Sequence, residues 1–456
     1  MTDPTPPAPD RLPGRLPARF PGWQVAWAAF VVAVFGWGVG FYGPPIFLQA
    51  VQASRGWPVS LVSAAVTCHF LFGAVVVADL ARLHRRFGLV AVTRAGALAT
   101  ALGMLGWALA AEPWQLFAAT LVSGAGWAAT GAAAINAIVS PWFSRRRPAA
   151  LSLAYNGASI GGVVFSPLWV ALIAGIGFAG AAGLVGLAMV ATLWLLAGRH
   201  FRDGPAALGL HPDGDAAPAP VPPAAPRLRL RGDRRFRSLA LASSLGLFAQ
   251  IGLIAHLFSL LTPVLGAGGA GVLAGLATAF AILGRSLLGW LLPAAADRRL
   301  VAAGNYGLQA AGSLALLAAG GEAVPLLVLG VALFGLGLGN TTSLPPLIAQ
   351  QDFAAAETGR VVALVTACSQ AAYAFAPLAF GALRDLLPPA PGLPGGSAPA
   401  LYALAAAVQL AALLVLLLSR RAGASSAARS APPPADRAAG RIPHGPASGR
   451  TPAPGC

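Results

Sequence analysis

Two long stretches of this chain, Pro21–Gly198 and Ser238–Ser419, are apolar nearly throughout and almost free of charge. A water-soluble domain cannot hide that much apolar surface, since its outside needs charged groups. A lipid bilayer accommodates it, provided the backbone satisfies its own N–H and C=O groups, as an α-helix does. Over the full sequence 57% of residues are hydrophobic and only 10% charged, so the conclusion does not hang on where the blocks are cut. Between the blocks runs Arg199–Arg237, with eight arginines, four acids and a proline-rich run from Ala216 to Pro226. Alternating Pro and Ala carry neither a helical nor a strand period and read as extended, solvated linker.

A spanning helix needs ~20 mostly apolar residues, and about twelve segments meet that length. In the first block they are Trp23–Leu48, Pro58–Leu80, Leu89–Ala110, Trp114–Val139, Ala149–Ile173 and Phe178–Ala197. In the second they are Leu239–Leu261, Ala270–Leu292, Leu300–Ala319, Val324–Ile348, Thr358–Leu383 and Ala400–Leu418. No charge marks the boundary near Gly175–Gly177. The expected fold is an all-α membrane protein with twelve transmembrane helices in two pseudo-symmetric six-helix bundles, residues 21–198 and 238–419. Residues 199–237 form the connecting loop, and the tails, 1–20 and 420–456, are expected to be disordered.

All thirty basic residues are arginine, and their placement sets the orientation. Cytoplasmic loops hold the excess of positive charge. With both termini inside, those loops contain Arg82/Arg85/Arg86, Arg145/Arg146/Arg147, the central eight, Arg298/Arg299 and Arg360, whereas the outward loops hold Arg55 and Arg384. The net charge of +16 therefore faces the inner leaflet of the cell membrane and does not point to nucleic acid. Trp57 and Trp114 on one side, and Trp23 and Trp142 on the other, suit interfacial belts, with Trp37, Trp127 and Trp290 expected in the core. The cysteines have no metal or disulfide spacing, and no Gly-x-x-x-x-Gly-Lys loop for ATP occurs. Expected partners are a small-molecule substrate and the lipid bilayer, with no cofactor, and the chain is expected to act as a monomer.

Six spans, a basic inner loop and six more spans resemble the major facilitator superfamily of transporters. Pro205–Gly214 looks like the Pro-x-x-Leu-Gly-Leu-x-Pro-x-Gly stretch of bacterial members near the oxalate/formate and monocarboxylate carriers. Phe35–Pro44, followed by Arg55-Gly-Trp57, is similar to the first segment of that branch. An internal repeat agrees: Leu151–Leu168 aligned with Val361–Leu378 superposes Ser159/Ser369, Phe165/Phe375, Pro167/Pro377 and Leu168/Leu378. The family's gating loop after the second helix is poorly kept, with Arg85 standing where an acid belongs; Arg85, Arg86, Asp297 and Arg298 are its nearest counterparts.

Polar groups at membrane depth are costly unless they line water or find a partner, so they mark the candidate site. None of the fourteen acids falls mid-span. Arg285, on the eighth segment roughly 11 Å from its inner end at 1.5 Å per residue, keeps its proton and therefore needs an anion, carbonyls or water. The resemblance implies a substrate-binding arginine there with glycine four residues on, here Gly289, whereas the acid expected one turn earlier is Ala281. The alternative for Arg285 is snorkelling, or pairing with a loop acid such as Asp297 as part of the gate. His69 is the candidate proton carrier, against a plain hydrogen bond to a carbonyl. Tyr42, Gln250, Asn340, Gln370 and Tyr155 are candidate substrate contacts or helix bridges. The expected function is alternating-access transport of a small organic anion such as a mono- or dicarboxylate. The alternatives are export of neutral or cationic drug-like compounds and an integral membrane enzyme. The enzyme is disfavoured because no Asp-x-x-Asp or Cys-x-x-Cys spacing occurs.

Overall fold

A computed structural model describes residues 20–215, 230–291, 293, 296–387 and 398–430. The proline-rich run and most of both expected tails lie outside the described residues. The helices in the first half are α1 (Gly22–Gly40), α2 (Gly43–Arg55), α3 (Val59–Leu109), α4 (Pro113–Thr130), α5 (Ala132–Val139) and α6 (Arg147–His200). In the second they are α7 (Arg234–Leu291), α8 (Arg298–Ala318), α9 (Val324–Leu338), α10 (Asn340–Asp352), α11 (Ala355–Ala374), α12 (Ala376–Leu386) and α13 (Ala398–Ser430). The last helix continues to Ser430, so residues 420–430 are helical where disorder was expected.

Three helices, of 51, 54 and 58 residues, are far longer than one crossing requires. Each reverses at a single glycine: Gly88 (φ 80, ψ 160), Gly177 (φ 72, ψ 166) and Gly266 (φ 66, ψ 170). That corner of φ/ψ space is essentially reserved for glycine, because a Cβ collides with its own backbone there. Counting each hairpin twice, and joining the pieces α1–α2, α4–α5, α9–α10 and α11–α12, yields twelve crossings. Nothing lies within 4 Å of a Cβ built at any of the three glycines, so alanine would meet only backbone strain. Each Gly→Ala change is expected to lower unfolding stability in nanodiscs by ~1–3 kcal/mol. Unchanged unfolding midpoints for all three would contradict the hairpin assignment.

The halves meet where α6 packs on α7, α12 on α3 and α2 on α7. Close packing there rests on glycine: Gly271 faces Val170, Gly275 faces Pro167, Gly381 faces Ser63, and Gly162 faces Thr278 and Tyr42. Two hydrogen bonds fasten helix starts across the interface. The Asp385 carboxylate accepts from the Ser60 N–H at 2.7 Å, and Thr67 Oγ1 accepts from the Leu378 N–H at 3.2 Å. Both donors are orphan N–H groups in the first turns of α3 and α12. All these contacts run from mid-depth to the arginine-poor face. The hydrogen bonds that fasten the halves thus lie away from the arginine-rich face.

The internal repeat is not carried through conformationally: α6 continues past Pro167, whereas the chain breaks at Phe375 and restarts with Pro377 in the first turn of α12. Two tryptophans depart from expectation. Trp290 is 90% exposed instead of packed in the core, and Trp142 is 4% exposed, under Phe20 instead of at an interface.

Candidate functional site

Proline breaks the first crossing, and the break organises the site. Pro44 and Pro45 have no N–H, so the carbonyls one turn earlier lose their helical donors. The Tyr42 N–H bonds back to the Trp37 carbonyl at 2.8 Å, which also frees the Gly38 carbonyl. Side chains from neighbouring helices answer both losses. Trp169 Nε1 donates to the Gly38 carbonyl at 3.1 Å, and His69 Nε2 donates to the Gly40 carbonyl at 3.0 Å. With Nε2 carrying the proton, His69 Nδ1 accepts from the Ser123 hydroxyl at 2.8 Å, and that oxygen accepts from Trp107 Nε1 at 3.2 Å. His69 is 1% exposed. Both of its nitrogens are thus engaged, Nε2 on the broken helix.

The tenth crossing breaks at Gly339, between α9 and α10. Asn305 Nδ2 and Gln309 Nε2 donate to the Gly337 carbonyl at 3.1 and 3.2 Å. Arg285 Nε and Nη2 both donate to the Gly339 carbonyl, at 3.3 and 3.2 Å. A helix end presents a partial negative charge there, which favours a cation. Among the described residues Arg285 has no carboxylate partner, and its guanidinium bonds the Gly339 carbonyl alone. Tyr42, from the other half, meets Gly162 beside Thr278, which lies two turns from Arg285 on the same helix. Tyr42 also lines a cavity of about 30 Å³ between the halves, with Ile46, Ser166, Leu257, Thr278 and Leu338. That volume holds about two waters.

Asn340 spans the eighth and tenth crossings beside Arg285, donating to the Gly284 carbonyl at 3.4 Å and the Leu336 carbonyl at 3.3 Å. Its Oδ1 is buried without a partner. Gln250 is 3% exposed, one turn from the cavity residue Ile254, and its Oε1 also lacks a partner. Gln370 is half-buried on α11. Tyr155 donates to the Ala132 carbonyl at 3.0 Å, accepts from Asn136, and packs edge-on against Trp37. Arg285, Tyr42 and Asn340 thus converge, Gln250 stands near, and Tyr155 belongs to the facing wall.

Of the expected gate residues, Asp297 and Arg86 meet partners within their own halves in this conformation. Arg85 and Arg86 are exposed, Arg86 lying over Phe87. Asp297 caps α8, accepting from the N–H groups of Arg299 and Leu300, and pairs with Arg420 at 2.5 Å. It is therefore not the partner of Arg285. Arg298 donates its backbone N–H to Gln351. The neighbouring Arg299 makes the large network. Its guanidinium binds Asp352 at 2.8 Å, the hydroxyls of Ser238 and Ser419 at 3.0 and 2.8 Å, and the Arg235 carbonyl at 2.9 Å. One side chain so ties together the starts of α7 and α8, the end of α10 and the end of the last crossing.

Sequence reasoning also passed over Arg94, Asp213 and Asp385. Arg94 bonds the Trp194 carbonyl and covers its ring at 4.6 Å. Asp213, the one described non-glycine residue with positive φ, lies in the Pro205–Gly214 stretch. Its carboxylate accepts from the N–H groups of Ser144, Arg145 and Arg146 at 2.7–3.2 Å. Burial works to raise its pKa, but those three bonds and the Arg145 charge hold it below the usual range. A loop acid just before glycine, opposite three arginines, was the available signal.

Residues 26–377 match the family model described as Major Facilitator Superfamily. Monocarboxylate transporter 13 of Bos taurus is 32% identical over 151 residues, and the match spans about a third of each chain. Among solved structures, a bacterial homologue of the human lysosomal transporter Spinster has a TM-score of 0.64 at 16% identity, covering 91% of this chain and 98% of that one. The nucleoside transporter NupG has a TM-score of 0.64 at 13% identity, covering 88% and 100%.

Proposed function

The chain belongs to the major facilitator superfamily, and from that premise we propose that it moves a small organic anion across the cell membrane by alternating access. The observation that carries this reading is Arg285: a permanently charged group at membrane depth, held by one carbonyl and no acid. A guanidinium so placed has unused fork geometry suited to a carboxylate. Negative charge arriving in the cleft would offset its desolvation. The partial likeness to a protein named for monocarboxylate transport supports the same substrate class.

The arginine-rich face lies in the cytoplasm, where positive loops are retained. Transport follows from rocking of the halves: the fastenings at Ser60–Asp385 and Thr67–Leu378 part, and the cleft then closes on the arginine-rich side. With no acid in mid-span and His69 engaged on both nitrogens, exchange or facilitated movement is favoured over proton coupling through these groups. Uptake of labelled mono- and dicarboxylates into proteoliposomes, with and without an imposed proton gradient, tests the reading. Saturable, self-competing uptake of a carboxylate is the expected result, and failure of the whole panel overturns it.

A further inference from the structure

We infer that the ligand held at Arg285 is a monocarboxylate with an aromatic body, its ring lying on a shelf formed by Trp37, Trp127 and Tyr155. This deepens the anion reading and rests on it. Depth is the first support. Gly162 on the fifth crossing packs against Thr278 on the eighth. Seven residues from that contact toward the arginine-rich face lead to Tyr155 on one helix and Arg285 on the other, about 10 Å along each. Trp37 lies five residues from Tyr42 in the same direction. The backbones carrying Tyr155 and Arg285 are therefore level, on opposite halves, and the Arg285 guanidinium reaches from there to the Gly339 carbonyl.

The rings form one connected group. Trp37 and Trp127 are edge-on at 5.0 Å, Trp37 and Tyr155 at 6.2 Å, and Phe41 meets Trp127 at 6.1 Å. Phe41 also contacts Tyr42, which lines a cavity with Thr278, two turns from Arg285. Trp107 and Trp169, in the same half, are 2% and 0% exposed, whereas Trp37, Trp127 and Tyr155 remain half-exposed. Partly exposed rings grouped near the depth of a charge are a site for an apolar, π-bearing group. The cavity of about 30 Å³ is too small for a ring, so the body is assigned to the shelf. Charge sets the count of carboxylates. Arg285 is the one mid-depth cation at this cleft among the described residues, so a second carboxylate would be desolvated without a partner.

The test is calorimetric titration of the full chain in nanodiscs with acetate, phenylacetate, succinate and neutral benzyl alcohol. Phenylacetate is expected to bind about 100-fold tighter than acetate, as burial of a phenyl group against rings implies, and succinate no better than acetate. Trp127→Ala should reduce that preference below about 10-fold while leaving acetate affinity unchanged, and Trp37→Leu supplies an independent variant with the same expected outcome. Arg285→Gln should abolish binding of both acids. Equal affinity for acetate and phenylacetate, with both lost in Arg285→Gln, overturns the aromatic shelf and leaves the anion reading standing. Binding of both acids undiminished in Arg285→Gln, or benzyl alcohol binding as tightly as phenylacetate, overturns the anion reading itself.

Discussion

Replacing Arg285 with glutamine is expected to cut carboxylate uptake by about 100-fold or more while leaving the fold intact. Losing one partner of a desolvated, hydrogen-bonded charge pair costs about 2–5 kcal/mol, and ~3 kcal/mol corresponds to roughly 100-fold in transport efficiency. Stability should move little, or rise, because Arg285 bonds only the Gly339 carbonyl and its removal strands no acid. A gate or packing arginine would behave the opposite way, destabilising the protein with transport of the surviving fraction normal. Lysine at 285 should recover part of the activity, since it restores the charge but not the planar fork. Uptake and thermal unfolding measured on the same nanodisc-tested variants separate the two roles.

The largest effect on stability is expected from Arg299→Ala. Its side chain is 8% exposed and that of Asp352 16%. Alanine would leave that carboxylate nearly buried beside two serine hydroxyls, without its direct ion pair and with only Arg235, which bonds the Asp352 backbone carbonyl, as a nearby cation. Breaking a buried pair in this way typically costs about 3–5 kcal/mol, enough to loosen the arginine-rich ends of four crossings together. Adding Asp352→Asn should return part of the loss, because the stranded charge is then gone. Additive losses in the double variant would show that the two residues are not coupled, and an unfolding midpoint within ~0.5 kcal/mol of the parent for Arg299→Ala would remove the network from the account.

The architecture could be read early because bilayer physics leaves few choices: long apolar segments must be helices, and arginine placement orders them. Even the uncharged boundary at Gly175–Gly177 resolves as a turn on Gly177. The candidate site was legible in part. Arg285 stood out because any charge at that depth needs a reason, and Tyr42 because it is a polar group within an apolar span. Its partners were not legible, since a freed carbonyl is claimed by whichever side chain packs opposite, and that depends on tertiary neighbours. His69 and Trp169 reach the first break for this reason, and Asn305 and Gln309 the second. Arg298 and Arg299 are adjacent in sequence but about 100° apart around a helix, so only one can face the Asp352 carboxylate. Asp385 escaped notice because its partner is a backbone N–H more than 300 residues away.

Rocking of the two halves can be tested with one cross-link. Val170 and Gly271 belong to opposite halves on the arginine-poor side, and a Cβ built at 271 falls 3.3 Å from the Val170 Cβ. That is close to the about 3.5–4.5 Å of a disulfide. Val170→Cys with Gly271→Cys, in a chain whose Cys68, Cys368 and Cys456 are replaced by serine, should cross-link on oxidation. Transport by the oxidised protein is predicted to fall to background and to return on reduction. Full-rate transport by a quantitatively cross-linked protein would contradict alternating access.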